Sequence, residues 1–181
     1  SLALSHQGSM TGEEREICVL FADIRGFTQL SERRLPYDVV FFLNRYFDVS
    51  GRAIEQAGGI ANQFTGDGVM ALFGVHGAPA AGALQALVAA RAMLRAVATL
   101  SEDLRTELPA PLRIGIGIHC GQAVVGHMGH GVATYLTAVG DTVNTASRLQ
   151  DQTKQFACQV VISEPVAQRA GVDVSGFPRQ E

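Results

Sequence analysis

The stretch Ile60-Ala61-Asn62-Gln63-Phe64-Thr65-Gly66-Asp67-Gly68-Val69-Met70-Ala71-Leu72-Phe73 decides how the chain folds. Two short apolar runs, Ile60 to Phe64 and Val69 to Phe73, flank Thr65-Gly66-Asp67-Gly68. Runs of this kind around a Gly/Asp turn predict a β-hairpin. Upstream, Val40, Leu43, Phe47, Gly51 and Ile54 recur at three and four after Pro36, which predicts a helix stopped at Gly58-Gly59. Before that helix, Ile17 to Ala22 reads as a strand buried on both faces. Downstream, Pro79 opens an alanine-rich helix closed by Pro109 and Pro111, with Leu84, Leu87, Val88, Leu94, Val97 and Leu100 as most of its buried stripe.

Beyond it, Ile114, Ile116 and Ile118 alternate with Gly115 and Gly117, a strand with one apolar and one bare face. Val124 and Val125 read as the next strand and residues 133–139 as another. A helix begins near Asp141, taken as its N-cap, with Val143, Ala146 and Leu149 among its apolar positions. Val160 to Ile162 is a last strand, Ser163 caps a short helix, and the tail from Asp173 has no pattern. Hairpins alternating with helices predict an α+β sandwich on a mostly antiparallel sheet. Residues 1–12, with Gly8-Ser9-Met10 resembling a cloning scar, are expected to be unstructured; residues 13–181 form one domain.

Composition narrows the function. Apolar residues make up 47% and charged residues 17% of 181, so most of the chain can form a core. A net charge of −3 argues against coating a nucleic acid. No apolar run reaches the ~18 residues of a membrane span, and no signal peptide is visible. Cys18, Cys120 and Cys158 stand apart, which suits a reducing cytoplasm. Lys154 is the only lysine among fourteen basic residues.

Few residues carry chemistry. Asp23, at the end of a buried strand, either caps the helix that follows or pairs with a cation; a buried carboxylate is costly otherwise. Gly26-Phe27-Thr28 can present backbone N–H groups to a phosphate. Asp67 alone is an ordinary turn residue. Two carboxylates at neighbouring strand tips, however, suit Mg²⁺ or Mn²⁺ held together with substrate phosphates. Asn144 and Arg148 share a helix face at i, i+4, either solvated or holding ribose and phosphate oxygens. His127 and His130 lack a third ligand nearby, and His119 reads as a strand-end residue. There is no P-loop and no GxSxG.

FADIRGFT (Phe21 to Thr28), FTGDGVMALFG (Phe64 to Gly74), GIGIHCG (Gly115 to Gly121) and VGDTVNTASRL (Val139 to Leu149) resemble, in order and spacing, the class III nucleotidyl cyclase catalytic domain, over about residues 15–170. The likeness is to the bacterial adenylate cyclases. It implies a ferredoxin-like βαββαβ core with extra strands and a head-to-tail homodimer with two shared active sites. It implies that Asp23, Asp67 and the Ile24 carbonyl bind two divalent cations, Mg²⁺ or Mn²⁺, and that Gly26, Phe27 and Thr28 cradle the triphosphate. Asn144 would orient the ribose and Arg148 stabilise charge at the α-phosphate, both from the second protomer. Gln63 and Thr137 would read the base. The implied reaction is attack of the ribose 3′-OH of ATP on the α-phosphate, giving 3′,5′-cyclic AMP and pyrophosphate.

Two features depart from the family pattern. Thr137 fits an adenine site, but Gln63 replaces the usual lysine or glutamate, and its amide can either donate or accept. Guanylate or dual specificity is therefore the first alternative, and a catalytically silent nucleotide-binding dimerisation module the second. The family also carries a further C-terminal hairpin with a triphosphate-binding lysine, which this chain lacks and for which Lys154 is read as misplaced. A cytoplasmic location is expected, with an upstream sensor or regulatory domain in the parent protein, and no nucleic-acid or membrane contact by this domain.

Overall fold

The first strand runs twice as far as its apolar residues suggest. β1 spans Glu13–Ile24, because its polar N-terminal residues still pair by backbone with a neighbouring strand. Apolarity reports burial, whereas a ladder needs only N–H and C=O groups. The computed structural model describes residues 12–181; the expected loose N-terminus, Gly8-Ser9-Met10 included, lies outside the described residues except for Gly12.

After β1 come α1 (Phe27–Glu32), α2 (Pro36–Gln56), β2 (Ile60–Thr65), β3 (Gly68–Phe73), α3 (Pro79–Asp103), β4 (Ile114–Met128), β5 (Tyr135–Val139), α4 (Asp141–Gln155), β6 (Val160–Ile162) and α5 (Glu164–Ala170). The sheet order is β2-β3-β1-β4-β5, antiparallel throughout, with β6 added parallel to β4. The order β4-β1-β3-β2 is that of a ferredoxin-like βαββαβ core, as the resemblance implied. The predicted hairpin is β2–β3, closed by the pair Thr65 and Gly68.

β1 is buried on both faces, as expected. Cys18, Leu20, Ala22 and Ile24 pack in the cluster formed with α2 and α3, while Ile17 and Val19 pack in the cluster that includes Ala146 of α4. This is the two-residue alternation of a strand.

Several local expectations change. Val124 and Val125 belong to the same fifteen-residue β4 as Ile114, not to a new strand. α3 ends at Asp103, ahead of Pro109. Its Leu84 and Val88 are each 52% exposed; the buried side carries Ala83, Ala86, Ala90 and Met93, together with Val97 and Leu100 of the expected stripe. The helix is enclosed by α2, α5 and the sheet, and small side chains fill much of that buried side while Leu84 and Val88 lie outside it. Among the described residues α3 is also the one helix long and apolar enough to cross a membrane, although Gln85, Arg91 and Arg95 interrupt its apolar runs; it packs against α2, α5 and the sheet. In α2 the buried positions are Phe42, Tyr46, Ser50, Gly51, Ala53 and Ile54, and Val40 is exposed. Asp141 is the first residue of α4 and Gly140 precedes it as the cap. Ser163 does sit before α5, but its Oγ lies 2.7 Å from His119 Nδ1. His119 is inside β4, not at its end, and burial lowers its pKa.

The bare face of β4 receives α4. A Cβ on Gly117 would lie 2.5 Å from the Ala146 carbonyl oxygen and 2.8 Å from Gln150 Cα. Accordingly α4 buries Thr142, Ala146, Gln150 and Thr153 rather than large apolar residues. Gly117→Ala is expected to destabilise the fold by about 3 kcal/mol, because backbone must move to admit the methyl; a urea midpoint unchanged from wild type would refute this close packing.

The cysteines also differ from expectation. Cys18 and Cys120 are directly opposed on β1 and β4 and joined as a disulfide, each 1% exposed, and Cys158 is the free one. Their separation of 102 residues hides a pairing that only the strand register shows.

Candidate active site

Asp23 stands one residue from the end of β1, opposite Gly68 of β3 on one side and Gly115 of β4 on the other. Neither neighbour has a side chain; in front of Gly115 the space is taken up by Thr153, Arg25 and Gln150, so α4 and Arg25 close over that side of the strand tip. Asp67 sits in the two-residue turn between β2 and β3, close enough to hydrogen-bond Asp23. The order of the sheet creates this encounter: β3 lies against β1, so the hairpin turn and the tip of β1 share one end.

The pair is under electrostatic load. Burial, then the hydrogen bond and negative charge of Asp67, push Asp23 up from 3.8 to about 7; the Lys154 charge and the Ile24 amide act the other way. Oδ1 of Asp23 is buried and has no hydrogen-bond partner. Two such carboxyls need a shared proton or a cation. A hard divalent ion would give Oδ1 its partner and relieve the repulsion. The donors therefore fit Mg²⁺ or Mn²⁺. Among the described residues no group of three or more His, Cys, Asp or Glu side chains surrounds a single point. Two carboxylates leave coordination positions for phosphate oxygens and water, as magnesium favours. Ile24 ends the strand beside Asp23 and carries the carbonyl assigned to this group. Among the described residues His127 and His130 gain no third ligand.

Three residues on, Gly26 caps α1 in the left-handed region at φ 66°, where glycine carries no Cβ penalty. This turns the chain sharply, and the Phe27 and Thr28 amides start a helix whose first N–H groups have no intrahelical acceptor. They sit next to the carboxylate pair in the chain.

A second group of residues gathers at β5 and α4. Thr137 of β5 is buried and its Oγ1 donates to Asn62 Oδ1 at 2.8 Å. Asn62 Nδ2 donates to the Leu136 carbonyl. Gln63 Nε2 lies 3.4 Å from the Tyr135 hydroxyl. The structure thus brings Gln63 and Thr137 to the same strand pair and adds Asn62 and Tyr135, which sequence reasoning missed. A regular strand would send Asn62 away from Gln63; a bulge between Ala61 and Gln63 prevents that, and alternation cannot reveal a bulge.

Asn144 and Arg148 share the outward face of α4, opposite its buried Thr142, Ala146 and Gln150. The Arg148 side chain is 67% exposed and reaches only Thr145 Oγ1 at 3.1 Å and Asp141 at 3.6 Å. Neither residue hydrogen-bonds or ion-pairs with Asp23 or Asp67 among the described residues. One chain thus displays separate groups of residues: the carboxylates with the α1 amides, the Asn62, Gln63, Tyr135 and Thr137 cluster, and the exposed Asn144/Arg148 face of α4.

Comparison with known proteins bears on the family and the fold. Residues 10–173 match the model of the adenylate and guanylate cyclase catalytic domain. An adenylate cyclase of Anabaena cylindrica is 38% identical over 157 residues, 84% of this chain and 30% of that protein. Adenylate cyclase 1 of Rhizobium meliloti is 35% identical over 161 residues, 89% of this chain and 24% of that protein. The chain therefore spans less than a third of these curated relatives. Among solved structures, the guanylyl cyclase Cya2 superposes with a TM-score of 0.81 at 34% identity, covering 90% of this chain and 81% of that one. The adenylyl cyclase CyaB from P. aeruginosa gives 0.80 at 29% identity, covering 93% and 91%. With motifs, sheet order and relatives in agreement over most of its length, the chain belongs to the adenylate and guanylate cyclase catalytic domain family.

Proposed function

We propose that this domain is an adenylate cyclase that converts ATP to 3′,5′-cyclic AMP and pyrophosphate in a homodimer with shared active sites. The observation that carries the reading is the Asp23–Asp67 pair with its unpartnered buried oxygen, beside the opening amides of α1. Asp23, Asp67 and the Ile24 carbonyl would hold two divalent cations, which when bound neutralise phosphate charge and acidify the ribose 3′-OH. The amides of Gly26, Phe27 and Thr28 orient the triphosphate. Asn144 of the second protomer positions the ribose, and Arg148 of that protomer stabilises charge at the α-phosphate. The 3′-oxygen forms its bond to phosphorus as the bond to the β-phosphate bridging oxygen breaks, and the hydroxyl proton passes to water. Positioning and electrostatics supply the acceleration, so no protein general base is assigned.

Adenylate cyclases among the relatives, together with Thr137, favour ATP. Gln63, whose amide can present either a donor or an acceptor, and the likeness to the guanylyl cyclase Cya2 support guanylate activity as the second reading. A nucleoside triphosphate substrate fits a cytoplasmic location, which the cysteines no longer argue once two of them are paired. The short span of this chain on its relatives, and a likeness to a bacterial light-regulated adenylyl cyclase of which it covers 47%, support a regulatory domain elsewhere in the parent protein.

The test is turnover. The chain is incubated with ATP or GTP and Mn²⁺ or Mg²⁺, and cyclic AMP, cyclic GMP and pyrophosphate are quantified. Cyclic AMP in excess is expected. Cyclic GMP in excess would favour the guanylate reading. No cyclic product from a folded dimer would turn the assignment to a silent nucleotide-binding module.

A further inference from the structure

The two edge strands of the main sheet path, β2 and β5, stand at opposite ends of the order β2-β3-β1-β4-β5, yet they touch. The sheet curls until its edges meet. At the meeting point Asn62 is the extra residue of the β2 bulge, set between Ala61 and Gln63 in the register with β3. A bulged residue leaves the ladder and its side chain is re-aimed. Here it spans two consecutive residues of β5, the Leu136 carbonyl and the Thr137 hydroxyl.

The chemistry of those two partners fixes the direction of every proton. A backbone carbonyl only accepts, so the Asn62 amide nitrogen must face Leu136. Its oxygen then faces Thr137 and can only accept. Thr137 has a single hydroxyl proton, and that proton is committed to Asn62. What remains on Thr137 is a pair of acceptor lone pairs. Gln63 is not locked in this way. Its neighbour is the Tyr135 hydroxyl, which donates or accepts equally well, so either orientation of the Gln63 amide is satisfied.

Adenine presents an amino donor at N6 where guanine presents the O6 acceptor. An acceptor with its proton turned inward binds the first and opposes the second. Thr137 is 4% exposed, so water has little access to repair a mismatch. Buried polar groups left unpaired are what make such a site selective. We propose that Asn62 is a specificity-positioning residue: by holding the Thr137 proton inward, it makes Thr137 a fixed acceptor and selects adenine nucleotides over guanine nucleotides. The inference rests on the reading of Gln63 and Thr137 as the base site, and adds that Thr137, oriented by Asn62, discriminates while Gln63 does not.

The experiment measures, on the 181-residue chain, the ATP-to-GTP ratio of dissociation constants with Mn²⁺ and the corresponding ratio of kcat/KM. Wild type is expected to favour ATP in both. Asn62→Leu removes the acceptor facing Thr137, so its hydroxyl can turn and donate to O6; the preference should fall at least about tenfold. Asn62→Asp keeps an acceptor facing Thr137 while losing the donor to Leu136. It should unfold more easily yet keep the preference within about threefold. In a Thr137→Val background, Asn62→Leu should change the ratio no further. A preference that survives Asn62→Leu in a folded protein overturns the proposal, as does a loss that follows melting temperature equally in the leucine and aspartate variants. Wild-type preference for GTP also overturns it, while leaving cyclase activity itself intact. If no cyclic product forms but ATP still binds in preference, the cyclase reading fails and the binding ratios alone decide the role of Asn62.

Discussion

Asp23→Ala is expected to lower cyclic nucleotide formation at least about a thousandfold, some 4 kcal/mol of transition-state stabilisation, with the dimer and fold retained. The side chain sits at a strand tip between two glycines, so its removal leaves the core untouched. Its loss would deprive the proposed cation site of one of its two carboxylates. Asn in its place should inactivate as well, and it separates function from stability. The folded protein holds the Asp23 proton up to a pH of about 7, whereas the ordinary carboxyl releases it near 3.8. Between those values the folded state binds the extra proton, so stability falls as pH rises through that window and stays lower above it. Asp23→Asn abolishes that loss. Since the group is only half-buried and solvent screens it, the gain at pH 8 should be about 1 kcal/mol in the absence of metal, read from urea midpoints. Mn²⁺ should raise the melting temperature of wild type and leave that of Asp23→Asn unchanged. Turnover near wild type in Asp23→Ala would end the two-carboxylate reading.

Equal mixing of two inactive variants, Asp67→Ala and Arg148→Ala, should restore about a quarter of wild-type activity. Random assortment makes half the dimers mixed, and each mixed dimer has one intact site of two. The prediction follows from the separation within one chain: Asp67 stands in the hairpin turn beside Asp23, and Arg148 points to solvent from α4, its side-chain polar contacts among the described residues being Thr145 and Asp141. Arg148→Ala alone should cost about 3 kcal/mol, roughly a hundredfold in kcat, if it removes the charge proposed to act on the transition state. Its exposed position gives the side chain little structural work, so the melting temperature should hardly move. A mixture as inactive as its components would show that each chain builds its own site.

The comparison of pattern and structure is uneven for identifiable reasons. The hairpin and the tip of β1 were readable because turn chemistry and strand ends are local. The shared face of Asn144 and Arg148 followed from helical spacing alone. The stripe of α3 was misread in part because hydrophobicity marks Leu84 and Val88, while the buried side is mostly alanine, with Met93, Val97 and Leu100. The unity of β4 was hidden because its middle and end pair with different partners: β1 runs along most of it, and β5 takes only its last residues.

The amino-acid order alone determined the types of most elements, the two carboxylates, the glycine turn that opens α1 and the family, since each rests on contacts between residues near in the chain or on motifs read directly. Tertiary structure decided which of these groups meet. The pairing of β3 with β1 brought Asp67 to Asp23, the register of β1 on β4 joined Cys18 to Cys120, and the curl of the sheet set Asn62 against Thr137. Strand order, register and bulges are fixed by packing the whole sheet between its helices, and no local pattern of residues records them.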